Sequence, residues 1–364
     1  MVHALTGLGA WLFKPALLAA NGVLAIARAG AALPFAETSI MAPAPPVALM
    51  LSCAVAVALL TGSRVLIVAM VGLVLLLVAS AIHERYRADR LDAVFLSVGQ
   101  GDSTILRLPG GRIMVVDAGP TGRGRRVVEP ALRRMHISRI DYLVVTHVQS
   151  DHFGGAQHLI ERMDVGELWH PGGVCRSAGF AKLLDTAAAR GVRVVDFASA
   201  ETCEDRGGLC GAAGEGWRID RIEARRPRGP GEHARFRGAG ACDDNDRSIV
   251  LRVGFAGQAI LLPGDIERAA EQALVAGGRT LGAQILKSPH HGSATSSTAG
   301  FLDAVAPKLA VVSAGRANRY GFPAETVVAR LAERGVAMLR TDLDGSIRVS
   351  IDADGFRVWT AKRR

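Results

Sequence analysis

Thr146-His147-Val148-Gln149-Ser150-Asp151-His152-Phe153-Gly154-Gly155 follows directly on an apolar, β-branched run, and its reading decides the fold. Two imidazoles and a carboxylate fall within six positions of a strand-to-helix turn, which aims several metal-ligating atoms at one spot. Imidazole nitrogen with carboxylate oxygen suits zinc or manganese. The Gly-Gly pair lets the backbone turn tightly beside the ions. Alone the motif is weak, but two later stretches answer it. Leu261-Leu262-Pro263-Gly264-Asp265 ends a strand on an aspartate, a placement suited to a carboxylate shared by two metals. Ser288-Pro289-His290-His291-Gly292-Ser293 puts paired histidines after another apolar strand. The candidate metal ligands are therefore His147, Asp151, His152, Asp265 and His291, holding one or two divalent ions, with Asp151 and His152 as the catalytic pair. His290 is either a ligand or a neighbour of His291.

Working outward, short β-rich runs alternate with turns on both sides of the motif. Ala93–Ser97, Thr104–Leu108, Ile113–Asp117 and Tyr142–Thr146 read as strands, with Pro109-Gly110-Gly111 as a hairpin turn and Val127–Met135 as a helix. A second series has strands at Trp217–Ala224, Ser248–Phe255, Ala259–Pro263, Leu309–Ser313 and Ser346–Ile351. Helices are expected at Ile266–Val275, Ser297–Val305 and Ala324–Arg334. Two successive β-rich halves with their own helices predict two sheets packed face to face, helices outside. Between the halves, the Gly/Arg-rich stretch Ser199–Asp246 is expected to hold one strand and a loop, with seven arginines from Arg218 to Arg237.

The chain ahead of this domain has another texture. Of 364 residues, the first 82 carry only Lys14, Glu37, Arg28 and Arg64 as formal charges, which leaves a net of +7 on the remainder. That charge is compatible with an anionic partner without demanding one. Residues 47–60 and 65–82 are apolar runs joined by Thr61-Gly-Ser-Arg64, and each fits one arm of a transmembrane hairpin. Residues 1–90 are thus expected to form a membrane anchor of two or three helices, and 91–364 the domain that carries the candidate metal ligands. Residues 4–27 are apolar but interrupted by Lys14-Pro15 and Asn21-Gly22, and lack the basic start of a cleaved secretory signal. The five cysteines contain no CxxC pair, which excludes a zinc ribbon or thioredoxin motif. Cys203 and Cys210 are placed to pair if the domain faces an oxidising compartment.

The order His-x-x-x-Asp-His-x-Gly-Gly, Gly-Asp, His-His-Gly-Ser resembles the metallo-β-lactamase superfamily. More narrowly, Ser97-Val98-Gly99-Gln100-Gly101-Asp102-Ser103, Val116-Asp117-Ala118-Gly119 and Asn318-Arg319-Tyr320-Gly321 resemble the C-terminal domain of ComEC, the DNA-uptake channel of competent bacteria. The resemblance implies an αββα sandwich with a metal site at one edge of the two sheets. It implies nuclease action on incoming, single-stranded DNA. It also implies that the loop of Gln100 and Asp102 reaches the site. Asp117, at a strand end, reads as an orienter of a histidine or as a turn residue. Asn245 precedes a strand and either faces the metals or does not.

Two positions depart from the pattern. Gln149 stands where the superfamily has His or Asp, and Phe322 where the narrower family has His. Either catalysis has drifted away, or a reduced site holds one metal through Asp151, His152, Asp265 and His291. Members resembling ComEC are about twice this length, so the resemblance implies either a separate channel subunit as a partner or a chain that has lost transport. The basic residues Arg85, Arg87 and Arg90 at the hairpin exit favour a cytoplasmic domain, whereas the family role favours the outer face of the inner membrane. The expectation taken here is the outer face. Two other functions fit the same residues: a membrane-tethered small-ester or phosphoester hydrolase, and a non-catalytic remnant that binds DNA or a channel partner.

Overall fold

The computed structural model describes residues 90–172, 177–197, 213–214, 216–222 and 245–362, with the isolated positions 68 and 72. The expected span at 47–60, all but two residues of that at 65–82, the Cys203/Cys210 pair and the arginines from Arg225 to Arg237 lie outside the described residues. Among those described, no helix is long and apolar enough to cross a membrane.

In chain order the strands of the first half are β1 (Leu91–Phe95), β2 (Thr104–Arg107), β3 (Ile113–Val116), β4 (Arg139–Val144), β5 (Asp164–His170) and β6 (Arg193–Asp196). Those that follow are β7 (Ala213–Gly214), β8 (Trp217–Ile222), β9 (Val250–Phe255), β10 (Gln258–Leu262), β11 (Ile285–Lys287), β12 (Leu309–Val312), β13 (Ala337–Arg340), β14 (Ile347–Asp352) and β15 (Gly355–Thr360). They form two sheets, β15-β14-β1-β2-β3-β4-β5-β6 and β13-β12-β11-β10-β9-β8-β7. The chain's last two strands therefore return to the first sheet.

Alternation along each strand divides its side chains between two apolar layers. Ala93, Phe95, Met114, Val116 and Val144 of the first sheet meet Leu251, Val253, Ile260, Leu262, Ile285 and Val311 of the second in one central core. The opposite faces are covered by helices. Val115, Leu143 and Leu168 pack under α1 (Glu129–Arg134), α3 (Ala156–Arg162) and α4 (Ala178–Ala189). Leu261, Leu286 and Ala310 pack under α5 (Arg268–Ala276), α6 (Ala299–Val305) and α7 (Glu325–Glu333). The short helices α2 (Ser150–Phe153) and α8 (Thr341–Asp344) lie in connections. The architecture is an αββα sandwich. Strands covered on both faces read as continuous apolar runs, as Ile113-Met-Val-Val116 does, fully buried.

Some boundaries differ from the sequence reading. β4 runs Arg139–Val144 rather than 142–146, because Thr146 leaves the ladder to bond Asp117. α1 is preceded by a wider turn at Gly124–Val128, and α5 starts at Arg268 because the Glu267 amide is taken by Asp246 Oδ1 at 2.7 Å. Strands β5, β6, β7, β13 and β15 have no counterpart in the sequence reading.

Two parallel blocks position the site. β3, β4, β5 and β6 run parallel in one sheet, and β10, β11, β12 and β13 in the other. The loops at their C-terminal ends carry Asp117, His147, Asp265 and His291, the edge where open α/β sheets bind ligands. Gly155 has an ordinary helical φ of −87°, so it is not there for a tight turn. A Cβ at this position would strike the Ala118 carbonyl oxygen and the Gly124 backbone. The glycine permits close approach of two loops.

Gly155→Ala should therefore cost about 1–3 kcal/mol of stability through overpacking. Gly300→Ala, in α6 with nothing within 4 Å of the added methyl, should add about 0.4–1 kcal/mol. Denaturant unfolding of the full chain measures both, and equal effects would refute the account.

Candidate metal centre

The site is built on Asp117. This residue sits one position past β3 in a left-handed conformation, φ +59°, and is buried. Its Oδ1 accepts from the Thr146 amide at 2.8 Å, and its Oδ2 from Thr146 Oγ1 at 2.7 Å. Oδ2 also lies 2.8 Å from His152 Nδ1. The carboxylate thus assigns the proton to Nδ1 and leaves the lone pair on Nε2 directed away, the usual partnership behind a metal-ligating histidine. His291, at φ +55°, is fixed the same way by a backbone oxygen, its Nδ1 lying 3.0 Å from the Ser313 carbonyl.

Asp102, His152, Asp265 and His291 are all buried and bring one ligand atom each within 4.8 Å of one another. Orientation separates them. His152 Nε2 and His291 Nε2 lie 3.2 and 3.3 Å from Asp265 Oδ2, and 4.0 and 3.5 Å from Asp151 Oδ2. A tetrahedral ion with bonds near 2.0–2.1 Å spaces its ligands about 3.3 Å apart, so these four atoms fit one ion. Asp102 instead faces the Nδ1 edges of the two rings, at 4.0 and 3.5 Å. Both Nε2 atoms are buried and have no hydrogen-bond partner, although Asp265 lies within ion-pair range. Such atoms are costly unless a cation or donor meets them.

The protein's own charges tune these groups. Burial alone would discharge His291, but Asp265 and then Asp102 outweigh it and push its pKa up to about 9. Burial likewise opposes charge on His152, yet Asp265 and Asp117 hold it well above the usual imidazole range. Asp265 is pushed up by burial and pulled further down by His152 and His291, ending well below the carboxylate range. His147 behaves oppositely: burial, then the neighbouring His152, lower it to about 4.

The remaining sequence candidates are placed as follows. His147 packs its ring 4.0 Å from that of His152 and bonds Thr146 Oγ1 through Nδ1 at 3.1 Å. Its Nε2 is buried without a hydrogen-bond partner. Gln149 Nε2 donates to Asn245 Oδ1 at 2.6 Å, and Asn245 Nδ2 donates to Glu267 Oε1 at 3.1 Å. His290 Nδ1 lies 3.0 Å from the same Glu267 oxygen, so His290 faces away from the four convergent atoms. Gln100 Oε1 accepts from the Gly315 amide at 3.2 Å, strapping the Asp102 loop to the second sheet. Phe322 puts an apolar ring 6.3 Å from that of His291. Two groups were missed. Glu267 carries no motif, but Lys287, a charge ending an apolar strand one residue before Ser-Pro-His-His, was a readable signal.

A profile of the metallo-beta-lactamase superfamily matches residues 96–316, the span that holds every one of these ligands. The chain belongs to this superfamily. Within it, the chain is 32% identical over 260 residues to competence protein ComA of Neisseria gonorrhoeae, covering 71% of this chain and 32% of ComA. It is 28% identical over 269 residues to ComE operon protein 3 of Bacillus subtilis, covering 70% and 32% respectively. It is also 28% identical over 276 residues to recombination protein 2 of Haemophilus influenzae, covering 74% and 30%. The chain spans about a third of the length of these curated relatives. Members of the superfamily are typically metal-dependent hydrolases, and the donor set found here suits their divalent metals.

Asp265 supplies the carboxylate oxygen nearest both Nε2 atoms, so Asp265→Ala should reduce bound zinc or manganese at least tenfold, as elemental analysis of the full chain would show; unchanged content would refute this centre. An entering ion must displace the proton from His291 at any pH below about 9. With His152 also held above the usual imidazole range, affinity measured against a competing chelator should rise from pH 7 to 9, with protons released on binding.

Proposed function

We propose that this chain is the hydrolase component of a ComEC-like DNA-uptake system and cuts phosphodiester bonds in incoming single-stranded DNA. The observation that carries the reading is the convergence of His152 Nε2, His291 Nε2, Asp265 Oδ2 and Asp151 Oδ2, in a chain similar to a protein named for competence. A bound divalent ion supplies Lewis acidity and makes water a better nucleophile near neutral pH.

The chain's own residues do the rest. Asp117 and the Ser313 carbonyl hold both imidazoles in one tautomer, so no rearrangement is needed on binding. Of the four donors, Asp151 alone has a part-exposed side chain, at 30%, and marks the side from which a phosphodiester enters. Its carboxylate takes the proton from the attacking water as the P–O ester bond breaks, and solvent protonates the leaving oxygen. Residues 1–90 would anchor the chain in the inner membrane, with the domain on the outer face and a separate channel subunit passing the strand.

The Gln149 and Phe322 departures favour a second reading, a catalytically weakened DNA-binding remnant. The full chain loaded with manganese or zinc should cleave single-stranded DNA, and Asp151→Asn should slow cleavage on the order of a hundredfold. Affinity should fall steeply with salt. Neutralising Arg225, Arg226 and Arg228 together should flatten that slope by about 0.7 for each phosphate that these arginines neutralise. Salt-dependent binding without cleavage selects the remnant, whereas turnover of small esters without DNA affinity selects the tethered esterase.

A further inference from the structure

Lys287 is the last residue of β11, in the middle of the second sheet. It shares the inward face of Ile285, where the core would otherwise place an aliphatic side chain. It is 3% exposed. A buried ammonium is expensive unless carboxylates meet it, and two do. Its Nζ pairs with Asp102 Oδ2 and lies 3.8 Å from Asp265 Oδ1. Asp265 is therefore divided: one oxygen faces the two imidazoles, and the other faces the ammonium. A carboxylate at this strand end is suited to bridging two metals, so an amino group stands where its second oxygen would meet the second ion. An independent observation agrees. On the side of Gln149 the side chain is uncharged and bonded to Asn245, which leaves His147 Nε2 as the sole unpartnered donor there among the described residues.

We propose that Lys287 is the resident second cation of this centre, its ammonium held between Asp102 and Asp265 so that the site accepts one divalent ion rather than two. The inference rests on reading the four convergent donors as a metal site, but not on nuclease activity. Four aspartates, Asp102, Asp117, Asp151 and Asp265, surround the centre. One ion with the lysine nearly balances them, whereas a second ion would be crowded against a like charge in a buried space. Lys287 acts here as a positioning residue, keeping Asp265 turned with Oδ2 toward the imidazoles.

The test uses metal alone. The purified full chain, saturated with Mn(II) and freed of excess, should hold about one ion per chain and give an uncoupled six-line paramagnetic resonance spectrum. Lys287→Met, which keeps the length and removes the charge, should raise the content to about two with an exchange-coupled signal. Asp102→Asn/Lys287→Met, which removes the pair together, should return it to about one. A coupled dinuclear signal in the native chain, no bound ion, or a folded Lys287→Met variant that still holds one ion would each overturn the proposal. If Lys287→Met does not fold, Lys287→Gln, uncharged but polar, carries the same expected rise to about two ions and the same refuting outcome. None of these readouts needs turnover, so a chain that holds one ion yet leaves DNA intact would refute the nuclease reading and leave this one standing.

Discussion

The Asp117 carboxylate is the group on which the centre depends. It joins the end of β3, the second residue past β4 and the histidine of α2 through three hydrogen bonds of 2.7–2.8 Å. Each partner is buried, so the carboxylate cannot be exchanged for water without leaving several polar atoms unmet. The Thr146 carbonyl extends the linkage by accepting from the Ile249 amide, just ahead of β9 in the second sheet. One side chain thus fixes where two strands stop, where α2 sits and which nitrogen of His152 faces the convergent donor atoms.

Three residues of the centre are held in a strained region of backbone space. Asp117, His290 and His291 all have positive φ, a region that Asp and His visit more readily than most residues but still uncommonly. Such conformations persist where surrounding structure over-determines them. Here the determinants are visible: the bonds of Asp117, the Ser313 carbonyl on His291 and the Glu267 carboxylate on His290. The close packing of buried charge follows the same logic: burial opposes ionisation of Asp102 and Asp265, and the cations beside them, Lys287, His152 and His291, outweigh it.

The fold and the centre were legible to different depths. His152, Asp265 and His291 could be read because each follows an apolar strand that is buried on both faces, and such strands announce their own ends. Strands β6 and β15 could not, because Arg193–Asp196 and Gly355–Thr360 lie largely half-exposed at sheet edges and show no apolar run. β5 was hidden by Gly166 and two acidic residues in its length. Asp117 could be singled out but not assigned, since its partners Thr146 and His152 come from elsewhere in the chain. Lys287 had a local signal, yet its meaning needs Asp102, a residue contributed by the other sheet. Gln149 reads as a damaged ligand in sequence, while in space it opens a separate hydrogen-bonded chain through Asn245 to Glu267.

Ownership of the donors is divided across the sandwich. Asp102, Asp117, Asp151 and His152 follow strands of the first sheet, whereas Asp265, Lys287 and His291 belong to the second. An ion gripped by both sets works as a rivet through the seam. Its affinity then reports the alignment of the two sheets, and substitutions deep in the central core, far from any ligand, would register as weakened metal affinity before they register as unfolding. Neither half can be selected for its chemistry apart from the other, so the seam must drift as a unit.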